Sequence, residues 1–155
     1  MNINPARLQK HFEEMSLIGK IGETGTCRPA HSALEKDAFN LASVWMQNAG
    51  MKTRIDHFGN LIGRLEGKNP NLGVLMMGSH LDSQPYGGRF DGVAGVLGAI
   101  EVVRTLTEKN IKPERTIEVI SFADEEGWRF NKGLFGSRGI LGKLEEGELQ
   151  RKDKD

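Results

Sequence analysis

Cysteine is nearly absent from this 155-residue chain. Cys27 stands alone, so no intrachain disulfide can form and a zinc site built from several thiolates is excluded. Such sparing use suits a reducing compartment, and a cytoplasmic location is expected. Also missing is any excess of one charge, since Lys+Arg and Asp+Glu number 21 each. Without a single-sign field the chain has little means of attracting nucleic acid or an anionic membrane. A small molecule or a protein is left as the partner. No apolar run approaches the ~18 residues of a membrane span. The opening MNINPARLQKHFEEM holds no apolar core of a secretion signal. Internal repeats and low-complexity tracts are lacking as well.

What is present fits one domain over 1–155, since 37% hydrophobic residues suffice for a core at this length. Leu8, Phe12, Met15 and Leu17/Ile18 recur at helical spacing and predict a helix from Pro5 to Ile18. GKIGETGTCRP, with three glycines and a proline, is expected to be irregular. Ser32 followed by Glu35 reads as a capping box, opening a helix that stops at Gly50. MKTRIDHF and NLIGRLEG form a hairpin turning at Gly59-Asn60. LGVLMMGS reads as a continuous apolar strand at the centre of a sheet covered on both faces. A helix from about Gly92 to Glu108 follows, buried along Val93, Val96, Leu97, Ile100, Val103 and Leu106. TIEVISFA is a second central strand, so the order is βαβ and the two strands should run parallel. About four strands are expected in all. The charged tail GKLEEGELQRKDKD is expected to frame at most a short helix and to end in solvent.

Sites in open α/β sheets form beyond the carboxyl ends of the strands. His80 stands at one such end and Asp124-Glu125-Glu126 at the other. Imidazole and carboxylate are the donors that suit Zn, Mn, Co or Ni. In an extended segment His80 and Asp82 share a side, so Asp82 can take the ring N–H and fix the tautomer. Asp91 precedes a helix start that favours an anion. Gly87 and Gly88 would let the loop double back and bring Asp91 to His80. For His80-x-Asp82 or Asp91 alone, a capped loop or helix cap is the plainer reading. For Asp124 alone, it is a solvated turn. Three successive acids repel one another, so at least one needs a raised pKa or a nearby cation. One carboxylate holding an ion beside another that takes a proton from water is the combination a metallohydrolase needs.

GSHLDSQPYGGRFDGVAGVLGAIEVVRTL, then SFADEEGWRFNKGLFGSRGILG, resembles the amidohydrolase branch of the di-metal M20 peptidase family. The branch comprises N-carbamoyl-L-amino acid hydrolases, beta-ureidopropionases and allantoate amidohydrolases. The likeness extends upstream to WMQNAGMKTRIDHFGNLIGRLEG, and SQP with GGRFDG leans toward the carbamoyl-amino acid hydrolases. The resemblance implies a three-layer α/β/α sandwich of the zinc-exopeptidase type, incomplete here, and two divalent ions (Zn, Mn, Co or Ni). It implies that His80 binds one ion, Asp91 bridges both and Glu126 binds the other. Glu125 would be the general base and Asp82 would orient His80. The substrate would be a small ureido compound, cleaved to amino acid, ammonia and carbon dioxide. Gln84 and Arg89 are candidate substrate contacts.

Members of the branch are about two to three times this length. They carry two further metal-binding histidines downstream and a lid domain that forms a homodimer. His11, His31 and His57 match neither histidine, so a fragment binding metal weakly and turning over little or nothing is expected. Two other readings stay open. One is a non-catalytic truncated homologue that binds a partner through an exposed sheet edge. The other is an aminoacylase or dipeptidase sharing the metal residues. Cys27 and Trp45 read as inert and core; Trp128 and the GSRG segment read first as packing and a helix cap.

Overall fold

The computed structural model describes residues 2–153. Helix α1 (Pro5–Leu17) opens on Asn4, whose side chain accepts the Arg7 amide. Pro5 takes the first helical position, where a missing N–H leaves no bond unmade. Helix α2 (Ala33–Asn48) starts as its sequence signals, with Ser32 Oγ accepting the Glu35 amide at 3.3 Å. The Glu35 carboxylate reaches past Ser32 to the His31 amide at 2.6 Å, so the return half of the capping box is displaced by one residue.

Strands β1 (Lys20–Ile21) and β2 (Gly25–Arg28) arise where irregular chain was expected. Strands β3 (Lys52–Ile55) and β4 (Leu61–Leu65) form the expected antiparallel hairpin. Asp56 closes it by accepting the Phe58 and Asn60 amides. Strand β5 (Leu75–His80) leads into β6 (Ser83–Gly88), then α3 (Val93–Glu108) and β7 (Ile117–Phe122). Helix α4 (Phe135–Ile140) and a 3-10 turn at Glu148–Gln150 follow. Among the described residues, seven strands therefore replace the four or so expected, in two sheets ordered β1-β2-β6 and β3-β4-β7-β5.

The small sheet was hidden because strands of two and four residues rich in glycine show no alternation. Their partner, β6, lies nearly 60 residues away, with Thr26 opposite Gly87. Gly87 and Gly88 therefore do not turn the chain. They pair in β6, and the left-handed positions are Tyr86 (φ 58°) and Gly92 (φ 65°).

In the larger sheet β5 and β7 pair in parallel, from Leu75 opposite Ile117 to His80 opposite Phe122. Strand β7 is central and buried as far as Ser121. Strand β5 is not central: no described strand lies beyond it, and Leu75 and Met76 are exposed. Its apolar run does mark a strand, but says nothing of which neighbours are at hand. At Gly78 a Cβ would lie 1.9 Å from the Ile120 carbonyl oxygen, so the parallel pair can close only over glycine.

Helices α2 and α3 pack on one face of this sheet and α1 packs on α3, a mixed α/β arrangement. Met15, Ala42, Met46, Leu97, Ile100, Val103 and Val119 share the core. The expected buried stripe of α3 is met in full, Leu106 being half-buried. Trp45 is buried, its ring stacked on His11 at 4.0 Å. The opposite face carries no long helix among the described residues, so the three-layer sandwich is incomplete, as anticipated. Among the described residues, no helix is long and apolar enough to cross a membrane. The tail does more than end in solvent. Glu148 is buried and paired with Arg138 and Lys132, which holds its carboxyl down at about 2, and Arg129 pairs with Asp153. Lys154 and Asp155 lie outside the described residues.

Candidate metal centre

Parallel pairing places the ends of β5 and β7 side by side, and the loops that follow carry the acidic residues. The His80 ring is buried at the meeting point. Its Nδ1 lies 3.0 Å from the Asp82 carbonyl oxygen and 3.5 Å from the Asp82 carboxylate. Those partners assign the proton to Nδ1, leaving Nε2 to face acids. Nε2 is 3.4 Å from Glu125 Oε2 and 3.9 Å from Asp91 Oδ1. Burial pushes the imidazole pKa down, but Asp82 and the Glu125 charge prevail and raise it to about 9.

Asp82 orients His80 more through its backbone carbonyl than its carboxylate. The two carboxylate oxygens instead accept the amides of Glu125 at 3.3 Å and Glu126 at 3.1 Å. One buried aspartate thus ties the β5 loop to the β7 loop. Behind it lies Arg28, wholly buried, its Nε donating to the Leu81 carbonyl at 2.7 Å and its Nη1 to that of Ile18 at 3.1 Å. Burial lowers the Arg28 pKa, and the Asp82 charge opposes this.

Glu126 Oε1 is buried without a hydrogen-bond partner among the described residues. Burial raises the Glu126 pKa against the pull of His80, with Asp91, Asp82 and Glu125 adding to the rise. Asp91 is the exposed member, its side chain 63% accessible. Asp124 is no solvated turn residue. It is 3% exposed in a left-handed conformation (φ 48°), and Oδ1 has no hydrogen-bond partner among the described residues. Burial, then Asp82, pushes its carboxyl up to about 6. The cause is local: the Leu134, Phe135 and Gly136 amides bond the carbonyls of Glu125, Asp124 and Ala123, folding the chain back over the acidic turn.

Gly92 also belongs here, though no sequence signal assigned it. A Cβ at that position would lie 2.5–2.6 Å from three atoms of the His80 ring. Only a glycine lets α3 begin against the imidazole. Arg28 likewise escaped notice, because an arginine in a short glycine-rich stretch reads as surface. Gln84 and Arg89 are exposed, and no bond or ion pair joins either to His80, Asp91, Glu125 or Glu126 among the described residues. Arg89 instead lies over the Phe90 ring at 4.7 Å.

One imidazole nitrogen facing carboxylates, beside an unpartnered buried carboxylate oxygen, fits the chemistry of a divalent cation. Among the described residues, no group of three or more His, Cys, Asp or Glu side chains is gathered closely enough to hold one. The donors are assembled around His80 without closing into a shell.

Comparison with known proteins fits this picture. The model of Peptidase family M28 matches residues 60–152. The chain is 49% identical, over 153 residues, to an N-carbamoyl-L-amino-acid amidohydrolase of Pseudomonas sp. (strain NS671), spanning 99% of this chain and 37% of that protein. It is 37% identical over 147 residues to allantoate deiminase 2 of Glycine max, spanning 88% of this chain and 30% of the relative. A hydantoinase/carbamoylase family amidase from Burkholderia ambifaria superposes with a TM-score of 0.94 at 38% identity, covering 98% of this chain and 37% of the other. The chain therefore spans about a third of the length of the relatives it matches.

Proposed function

Since the chain belongs to peptidase family M28, we propose that it supplies part of a two-metal centre that hydrolyses the carbamoyl group of N-carbamoyl-L-amino acids. The observation that carries this reading is the position of His80 Nε2, 3.4 Å from Glu125 and 3.9 Å from Asp91. His80, Asp91 and Glu126 would hold the ions. When bound, they supply Lewis-acid polarisation of the ureido carbonyl and acidify water.

The chain's own residues account for the remaining steps. Asp82 accepts the Nδ1–H hydrogen bond on its carbonyl, which turns Nε2 toward Glu125 and Asp91, and its carboxylate holds the backbone of Glu125 and Glu126 in place. Glu125, one-third exposed, is free to take a proton from water attacking the ureido carbon. It returns that proton to the nitrogen of the departing amino acid as the C–N bond breaks. The carbamate left behind decomposes to ammonia and carbon dioxide. Gln84 is the remaining candidate for contact with substrate, because it is exposed while Arg89 is engaged with Phe90.

Three donors are too few for two ions, so the chain alone binds metal weakly and turns over little or nothing. The test is a hybrid in which this chain replaces the matching 37% of the Pseudomonas relative. It should hydrolyse N-carbamoyl-L-amino acids faster than allantoate or N-carbamoyl-beta-alanine, and only with Zn or Mn. Glu125→Gln in the hybrid should lower kcat about 10²–10⁴-fold while the ions stay bound. A folded, metal-loaded hybrid with no turnover, or one indifferent to Glu125→Gln, would overturn the assignment. A hybrid that favours allantoate would move the substrate to the second reading, which the Glycine max relative supports.

A further inference from the structure

Beside the acidic turn lies an open cleft of about 200 Å³. Three rings form its wall: His31 stands 5.9 Å from Phe130 and 6.2 Å from Phe135, centroid to centroid. Leu149 borders it and is 73% exposed. Asp124 also lines it, 3% exposed, with Oδ1 lacking a hydrogen-bond partner among the described residues. An unpaired buried carboxylate oxygen costs free energy until a donor arrives.

Two cations reach the cleft, and they differ. Lys132 is already engaged with Glu145 at 2.5 Å and Glu148 at 3.5 Å. Arg151 has no ion pair among the described residues and makes only a 3.5 Å contact to the Phe130 carbonyl oxygen. The lining is also strained, since His31 (φ 56°) and Asp124 (φ 48°) both hold left-handed backbone. Such positions persist where the surroundings hold them, often at ligand clamps.

A donor-seeking carboxylate, an uncommitted guanidinium and an aromatic wall, in a space below the usual ~300–1,000 Å³ of ligand pockets, suit a very small amphoteric molecule. We propose that this cleft binds the zwitterion of one apolar or aromatic α-amino acid. Its ammonium goes to Asp124 Oδ1, its carboxylate to Arg151, and its side chain lies against His31, Phe130 and Phe135. The inference stands apart from the hydrolytic reading, because the metal-free chain suffices to test it.

The experiment is ligand-observed NMR titration of the 155-residue chain in chelator, with phenylalanine as probe. Saturable binding is expected. Phenethylamine, 3-phenylpropionate and glycine each lack one of the three features and should bind about tenfold more weakly, or not at all. Asp124→Asn should weaken phenylalanine about tenfold and leave 3-phenylpropionate unchanged, while Arg151→Ala should weaken phenylalanine and leave phenethylamine unchanged. Asp124 sits in a tight turn, so Leu149→Trp, a change at an exposed position that narrows the mouth, serves as a second block. Failure of phenylalanine to saturate would overturn the proposal. So would analogues that bind as well as phenylalanine, or binding indifferent to Arg151→Ala and Leu149→Trp.

Discussion

Glu35 is 4% exposed, accepts the His31 amide on one carboxylate oxygen and has no partner for the other among the described residues. Burial raises its pKa to about 8, the His31 amide opposing, and the Asp82 and Asp124 charges add to the rise. The folded state therefore holds this proton more tightly than the unfolded chain, whose glutamate titrates near 4.5. Stability from Glu35 is full below 4.5 and is lost as pH rises through 8. His80 acts in the same direction at higher pH, from 6.5 to about 9. Glu35→Gln keeps the acceptor for His31 and removes the titration. Urea unfolding should show wild-type stability declining between pH 4.5 and 6.5, below the His80 window, and the variant's staying flatter. At pH 8 the variant should be more stable by roughly 1–3 kcal/mol, because the amide carries no charge where the buried carboxylate is part-ionised. Equal slopes in that window would refute it. At this scale the sequence was legible where chemistry sits at strand ends: His80, Glu125 and Glu126 could be named because apolar runs stop beside them. Gly92 and Arg28 could not, because their need arises from an imidazole and an aspartate that only folding brings near.

Between elements, one ion-pair cluster joins α1 to α3. Arg7 Nε meets Glu101 Oε2 at 2.7 Å and its Nη1 meets Glu108 Oε1 at 2.6 Å, while Asn4 adds its amide to Glu101 at 2.8 Å. Glu101 is 1% exposed. Burial alone would raise its carboxyl pKa, and the Arg7 and Asn4 hydrogen bonds reverse the sign. Arg7→Ala would strand that charge and should destabilise by about 3–5 kcal/mol, read as a lowered denaturant midpoint. Adding Glu101→Gln should recover much of the loss. If the double variant is no better than the single, packing of α1 rather than charge holds the helices together. The three long helices were readable because a 3.6-residue period survives over thirteen to sixteen residues. The β1-β2-β6 sheet was not, because its strands are too short for a period and their pairing is non-local.

For the whole molecule, the distinction between a strand and its place in a sheet matters most. Strand β5 carries an apolar run fit for a sheet interior, yet among the described residues it pairs on one side only. Val74, Leu75 and Met76 are 44%, 50% and 42% exposed. The relatives matched are nearly three times as long, as the 37% coverage implies. An unpaired apolar edge is a template for another strand, so the isolated chain should self-associate through it across the micromolar range. Met76→Lys places a charge on that edge and should shift sedimentation equilibrium toward monomer. Val44→Lys, at a 50% exposed site on α2, should leave the equilibrium where it was. Equal responses to the two lysines would mean that general surface charge, not the strand edge, governs association. A wild-type chain that stays monomeric throughout the range would show that β5 tolerates its open side unaided.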